Sequence, residues 1–189
     1  MTKDGPHANR LSVQAIAVLS LVAFPAWVNA AVTDSNANGF TVRLTLTIQA
    51  PPERVYGSLI HDVGEWWASD HTFSGDAHNL SIEEKPMGCF CEKLSGNGGV
   101  RHMEVVNFSP GKTLVMIGGL GPLQSLATSG TMTVRLAPAG TGTQIDITYS
   151  VAGYLPGGMN SLAAPVDAVT TQQFTRLKNY VEHGNAAPK

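Results

Sequence analysis

Four side chains on two neighbouring segments come nearest to a reactive constellation: Cys89, Cys91, His102 and Glu104. A histidine next to a carboxylate can act as a general base near neutral pH. Two cysteines can form a disulfide, run redox chemistry or ligate a metal. Whether the four meet depends on a turn. Gly88–Leu94 and Val100–Val106 flank Ser95-Gly-Asn-Gly-Gly99, and Asn97-Gly98 is a strong short-range hairpin signal. With Asn97-Gly98 as a two-residue turn, Cys91 opposes Glu104, Lys93 opposes His102, and all four candidates share a face. A five-residue loop reverses that parity, because a one-residue change of register moves every side chain across the sheet. His102 and Glu104 are therefore weak catalytic candidates, with a solvated cross-face contact as the plainer reading. For the cysteines, positions i and i+2 of a regular strand lie roughly 6.5–7 Å apart at Cα, at the upper limit of disulfide geometry. One uncertain histidine does not complete a metal site. The expectation is two reduced, metal-free thiols.

Two other stretches carry suggestive residue types. Asp70, His71, Asp76 and His78 lie between Ala68 and Asn79, but their spacing matches no established metal site, so a solvated loop is expected. Gly118-Gly-Leu-Gly121 follows a strand without G-x-x-x-x-G-K-[ST], G-x-G-x-x-G or a βαβ context, so a mobile loop over a cavity mouth is expected rather than a phosphate cradle. No metal and no cofactor is anticipated.

The elements that must position these groups start at Phe40. Phe40, Val42, Leu44, Leu46, Ile48 and Ala50 alternate with polar residues, which predicts a strand with one buried face. Ala50-Pro-Pro-Glu-Arg-Val55 then steps into a short helix. Pro52 suits its first position, Glu53 its positive end, and Val55, Tyr56, Leu59 and Ile60 form its apolar face. His61-Asp-Val-Gly-Glu-Trp-Trp67 closes the unit. Short strands follow at Leu80–Glu84, in the cysteine hairpin and at Lys112–Ile117. Two alternating strands then carry Met132, Val134 and Leu136, and Ile145, Ile147, Tyr149 and Val151, joined by a turn at Ala137–Gly142. A last helix is predicted over Ser161–Glu182, with Pro165 near its start. Val166, Val169, Phe174, Leu177, Tyr180 and Val181 form its apolar stripe, into which the polar Thr170 and Gln173 intrude. Strands in one run with helices at the ends indicate α+β.

Phe40–Trp67, with its alternating strand, Ala50-Pro-Pro-Glu-Arg-Val-Tyr56 step and Asp62-x-x-x-Trp66 spacing, resembles the opening of the START-like (SRPBCC) superfamily. Within it the chain looks most like the branch of homologues of the chaperone-ATPase activator. The resemblance spans roughly residues 40–183. It implies a helix-grip fold, a curved antiparallel sheet of about six or seven strands wrapped around a long C-terminal helix, with a space between them for a hydrophobic ligand. The residues expected at that space are Trp66, Trp67, Leu120, Tyr154, Val166, Thr170, Gln173 and Leu177, with loops 118–124 and 154–158 framing its mouth.

Residues 1–30 read as an export signal: Lys3 and Arg10 precede the apolar run Leu11–Phe24, and Val28-Asn-Ala30 fits a cleavage site. Gln14 and Pro25 interrupt the run, which falls short of the roughly 20 apolar residues of a comfortable membrane span. The expected mature protein starts at Ala31, is periplasmic or secreted and keeps no membrane anchor, with residues 31–39 as a flexible lead-in and 184–189 as a tail. The formal charge is −2, becoming −3 once two cations (Lys3, Arg10) and one anion (Asp4) are removed. No basic patch suggests nucleic acid. Three functions compete. The first is an exported binder of an apolar small molecule or lipid, the second a protein-interaction module of the chaperone-activator type. The third is a cyclase- or hydrolase-like enzyme using His102 and Glu104.

Overall fold

The structure is a computed structural model that describes residues 1–2 and 29–187. The export signal expected over residues 1–30 falls almost wholly outside them. Eight antiparallel strands form one sheet in the order β1-β2-β8-β7-β6-β5-β4-β3. They are β1 Asn29–Asn36, β2 Gly39–Ile48, β3 Leu80–Ile82, β4 Gly88–Lys93, β5 Gly99–Ser109, β6 Thr113–Gly118, β7 Ala127–Ala139 and β8 Gly142–Tyr154. Helices α1 (Pro52–His61) and α2 (Val63–Trp66) bridge β2 and β3, and α3 (Ala163–His183) ends the domain.

The alternation in β2 sends Phe40, Val42, Leu44, Leu46 and Ile48 into the core. β8 matches it across the ladder, with Leu44 opposite Ile147 and Val42 opposite Tyr149. The apolar stripe of α3 lies over this surface, burying Phe174, Leu177 and Val181. Gly184 ends α3 in the left-handed conformation, φ 70°, where its N–H bonds to the Tyr180 carbonyl. Arg176 and Lys178, on the polar side of α3, donate to the carbonyls of Trp66 and Thr47. Those bonds tie the helix to α2 and to the end of β2.

Residues 31–36, expected as a loose lead-in, instead pair with β2 as part of an edge strand. Their side chains are exposed, so they carry no apolar alternation. The second departure is the cysteine hairpin. Lys93 pairs with Gly99, leaving a five-residue loop, not the two-residue turn at Asn97-Gly98. Asn97 instead takes a positive φ of 63° within that loop. Further along, the register shifts between Phe90 and Cys91 on one side and Met103 and Arg101 on the other, so His102 is the extra residue of a β-bulge.

Candidate functional site

The bulge decides where the candidate groups go. On β4, Gly88, Phe90 and Glu92 point inward while Cys89, Cys91 and Lys93 point outward. On β5 the extra residue makes two successive side chains, His102 and Met103, turn inward, and Glu104 faces out. The expected pairing of His102 with Glu104 is thereby corrected. Glu104 instead accepts from Arg101 at 2.8 Å on the outer face, and His102 bonds to Glu92 at 3.0 Å in the core. The expectation of free thiols is corrected as well: Cys89 and Cys91 are disulfide-bonded, with Cα atoms 5.2 Å apart. The register shift next to Cys91 departs from the regular strand spacing on which that expectation rested.

Glu92 was not anticipated, because a lone glutamate in a short strand reads as surface. Its carboxylate accepts from His102 Nε2, from the Phe73 N–H at 3.1 Å and from the Ser74 N–H. Burial would push the carboxyl up, but the bonds from Ser74, Phe73 and His102 outweigh it and hold Glu92 below the usual carboxylate value. Burial likewise pushes His102 down, against the pull of Glu92. The pair is therefore an ionised carboxylate and a neutral imidazole that donates through Nε2, leaving the buried Nδ1 without a partner. Glu92 works as a clasp: it holds the segment carrying Phe73 against the sheet, where Phe73 stacks on His102 with centroids 5.9 Å apart.

Phe73 borders a cavity of about 480 Å³ between the sheet and α3. Met132 and Tyr149 form its floor, Val166, Val169, Thr170, Gln173 and Phe174 its α3 wall, and Trp67 one side. The segments 70–73 and 120–123, with Leu126, Leu162 and Pro165, surround the opening. Of the eight positions expected at the ligand space, Trp67, Leu120, Val166, Thr170 and Gln173 line this cavity. The other three do not. Trp66 is 1% exposed, its Nε1 donating to the Ser58 carbonyl at 3.0 Å, and Leu177 is fully buried in the packed core. Tyr154 is 71% exposed outside the cavity. Of loop 118–124, residues 120–123 line the cavity; none of residues 154–158 does, and the segment 70–73 takes part instead.

The polar groups of the cavity are few and placed. Tyr149 Oη accepts from the Leu120 N–H at 3.3 Å, joining the floor to the rim, and burial pushes its phenol up to about 12. Gln173 Oε1 accepts from the Ala68 N–H at 2.9 Å. At the rim His71 bonds to Gln172 at 2.9 Å, and Trp67 Nε1 donates to the His71 carbonyl. Neither His102 nor Glu104 is among the lining residues. The loop candidates Asp76 and His78 bond to each other at 2.8 Å on the surface. Among the described residues no three potential metal ligands cluster, and no helix is long and apolar enough to cross a membrane.

A curved antiparallel sheet gripping a long C-terminal helix over an apolar cavity is the helix-grip architecture of START-like (SRPBCC) proteins. The chain belongs to the family described as polyketide cyclase / dehydrase and lipid transport, whose model matches residues 39–182. Solved structures agree at the level of fold. The Aha1 dimer of Colwellia psychrerythraea is 17% identical, with 76% of this chain and 97% of that one covered and a TM-score of 0.55. CalU16 of Micromonospora echinospora is 10% identical, covering 85% and 87%, with a TM-score of 0.54. Protein MLL2253 of Mesorhizobium loti is 21% identical over 77% of this chain and 98% of that one, with a TM-score of 0.57. No curated protein matches the chain.

Proposed function

We propose that the protein is an exported binding protein for a hydrophobic small molecule or lipid, held between the sheet and α3. The observation that carries this reading is the cavity of about 480 Å³ and its lining. Trp67, Phe73, Leu120, Leu123, Met132, Val166, Val169 and Phe174 give it an apolar wall, interrupted by few polar groups. Both size and composition fall in the range of small-molecule sites, which run to roughly 300–1,000 Å³. The lipid-transport part of the family description agrees with it. The export half rests on the charged start, apolar run and Val28-x-Ala30 pattern. The Cys89–Cys91 bond supports it, since disulfides persist mainly in oxidising compartments.

Binding is tested by titrating a fluorescent fatty acid and aromatic probes while following tryptophan emission and melting temperature. A ligand of the native state alone, at 100 times its Kd, stabilises by about 2.7 kcal/mol. Val169→Trp, which projects a large ring into the cavity, is expected to weaken binding at least tenfold in a protein that still melts cooperatively. Leu177→Trp would instead overpack the closed core. A broad panel with no thermal shift refutes the binding reading. Export is tested by sequencing the N-terminus of periplasmic or secreted protein: Ala31 is expected, and an intact Met1 in the membrane fraction refutes it.

A further inference from the structure

Gln173 is 1% exposed, sits in the α3 wall of the cavity and has only half of its amide satisfied. Its Oε1 accepts from the Ala68 N–H at 2.9 Å, and this bond fixes which way the amide points. Turned over, the amide would set its NH₂ against the Ala68 N–H, donor against donor. The NH₂ group is thus held on the other side, where Nε2 is buried and has no partner among the described residues. Two donors on one nitrogen, rigidly oriented in an apolar wall, call for an acceptor, because buried polar groups are almost always paired.

The rest of the lining narrows that acceptor. Asp70 and His71 at the rim and the Tyr149 phenol in the floor are its titratable side chains, and neither lysine nor arginine borders the cavity. A carboxylate brought to Gln173 would be buried without a counter-charge, at high cost. A neutral carbonyl oxygen satisfies the NH₂ and needs none. The Tyr149 phenol, kept protonated by burial, accepts from the Leu120 N–H and turns its own O–H to the Gly118 carbonyl at 3.5 Å. Its donor is thus directed at backbone, and of the two groups Gln173 Nε2 is the one unpartnered among the described residues.

We propose that Gln173 is the polar anchor of the cavity and that the occupant is an uncharged, carbonyl-bearing apolar molecule, a ketone or ester, whose oxygen accepts from Gln173 Nε2. This rests on the cavity being a ligand site and adds the chemical class of the ligand. Phe174 lies in the same α3 wall and Trp67 on a side of the cavity, so the apolar body of the ligand packs on aromatic surface while the carbonyl reaches the amide.

Three shape-matched probes separate the possibilities: benzophenone, diphenylmethane and diphenylacetate, measured by calorimetry on the full mature chain. The ketone is expected to bind about tenfold more tightly than the hydrocarbon, the difference one hydrogen bond of ordinary strength makes. Its carbonyl stretch, followed by infrared difference spectroscopy with isotopic labelling, is expected to move to lower frequency on binding, and the carboxylate is expected to bind weakest. Gln173→Met keeps the side-chain length and removes both donors. It is expected to level ketone and hydrocarbon while retaining hydrocarbon binding, which reports an intact cavity. Should that variant not fold, the infrared shift in the wild-type protein decides alone. Equal binding of ketone and hydrocarbon with an unshifted stretch means that water serves Gln173, and overturns the proposal while leaving the cavity a ligand site. Tight binding of diphenylacetate overturns the uncharged class, and no binding of any of the three probes overturns this proposal, while the binding reading itself falls only if the broad panel also gives no thermal shift.

Discussion

Replacing Glu92 by alanine removes the acceptor for three donors at once, and the structure sets the size of the loss. The His102 side chain is 4% exposed, so its Nε2–H would be left buried and unpaired, costing about 1–3 kcal/mol. The N–H groups of Phe73 and Ser74 belong to a surface segment and can turn to water, so each forfeits only about 0.5–1.5 kcal/mol of net bonding. Relief of the buried carboxylate's desolvation offsets part of this. The balance is a destabilisation of about 3 kcal/mol, which in a domain of this size lowers the melting temperature by about 6–12 °C. Calorimetry or urea unfolding measures it. Limited proteolysis is expected to find a new cut near Phe73, since the clasp on that segment is gone. Glu104→Ala, which breaks only the outer pair with Arg101, is expected to stay within about 0.5 kcal/mol of wild type. If the two variants lose equal stability, the buried clasp is not what organises this end of the sheet. Acid adds a second test. Both Glu92 and His102 hold their protons less tightly in the folded protein than in the unfolded chain. The unfolded state therefore binds more protons and stability falls with pH, first below about 6.5 through His102 and then below about 4.3 through Glu92. His102→Phe is expected to flatten the first of these slopes.

Two further outcomes follow from the same geometry. Thiol counting on unfolded, unreduced protein is expected to find no free thiol and, after reduction, two, because Cys89 and Cys91 are the chain's two cysteines and are joined; two thiols before reduction would contradict the bond. The Tyr149 phenol, pushed up to about 12 by burial, stays protonated where an unfolded tyrosine ionises. Stability is thus expected to fall as pH rises from about 10 to about 12, with a shallower slope in Tyr149→Phe; an unchanged slope would mean that Tyr149 is not sealed in the floor.

Local periodicity carried much of the architecture. The two-residue alternation of Phe40–Ile48 and Ile145–Val151 identified β2 and β8, because each strand has one buried face to advertise. The stripe from Val166 to Val181 identified α3; its polar intruders Thr170 and Gln173 left two readings open, a bond to backbone or a place in a cavity wall, and Gln173 does both. β1 was invisible for the opposite reason: the side chains of residues 31–36 are exposed, and the pairing with β2 uses backbone groups that every residue possesses.

What only the tertiary structure decided is concentrated around one extra residue. No local pattern marks His102 as the bulge of β5, yet that insertion reverses the parity of everything before it. It separates His102 from Glu104 and gives it Glu92, while Cys89 and Cys91, two apart on β4, share the outer face and are joined. Glu92 looks like a surface residue in its own strand, and becomes a buried clasp only because a segment nearly twenty positions earlier brings the N–H groups of Phe73 and Ser74 to it. The same holds at the cavity. Sequence alone placed Leu177 and Val166 on one helical face, but the curvature of the sheet seals Leu177 into the core and leaves Val166 beside open space. Periodicity says which face of an element turns inward; whether that face meets a side chain or a void depends on what other parts of the chain deliver to the same place.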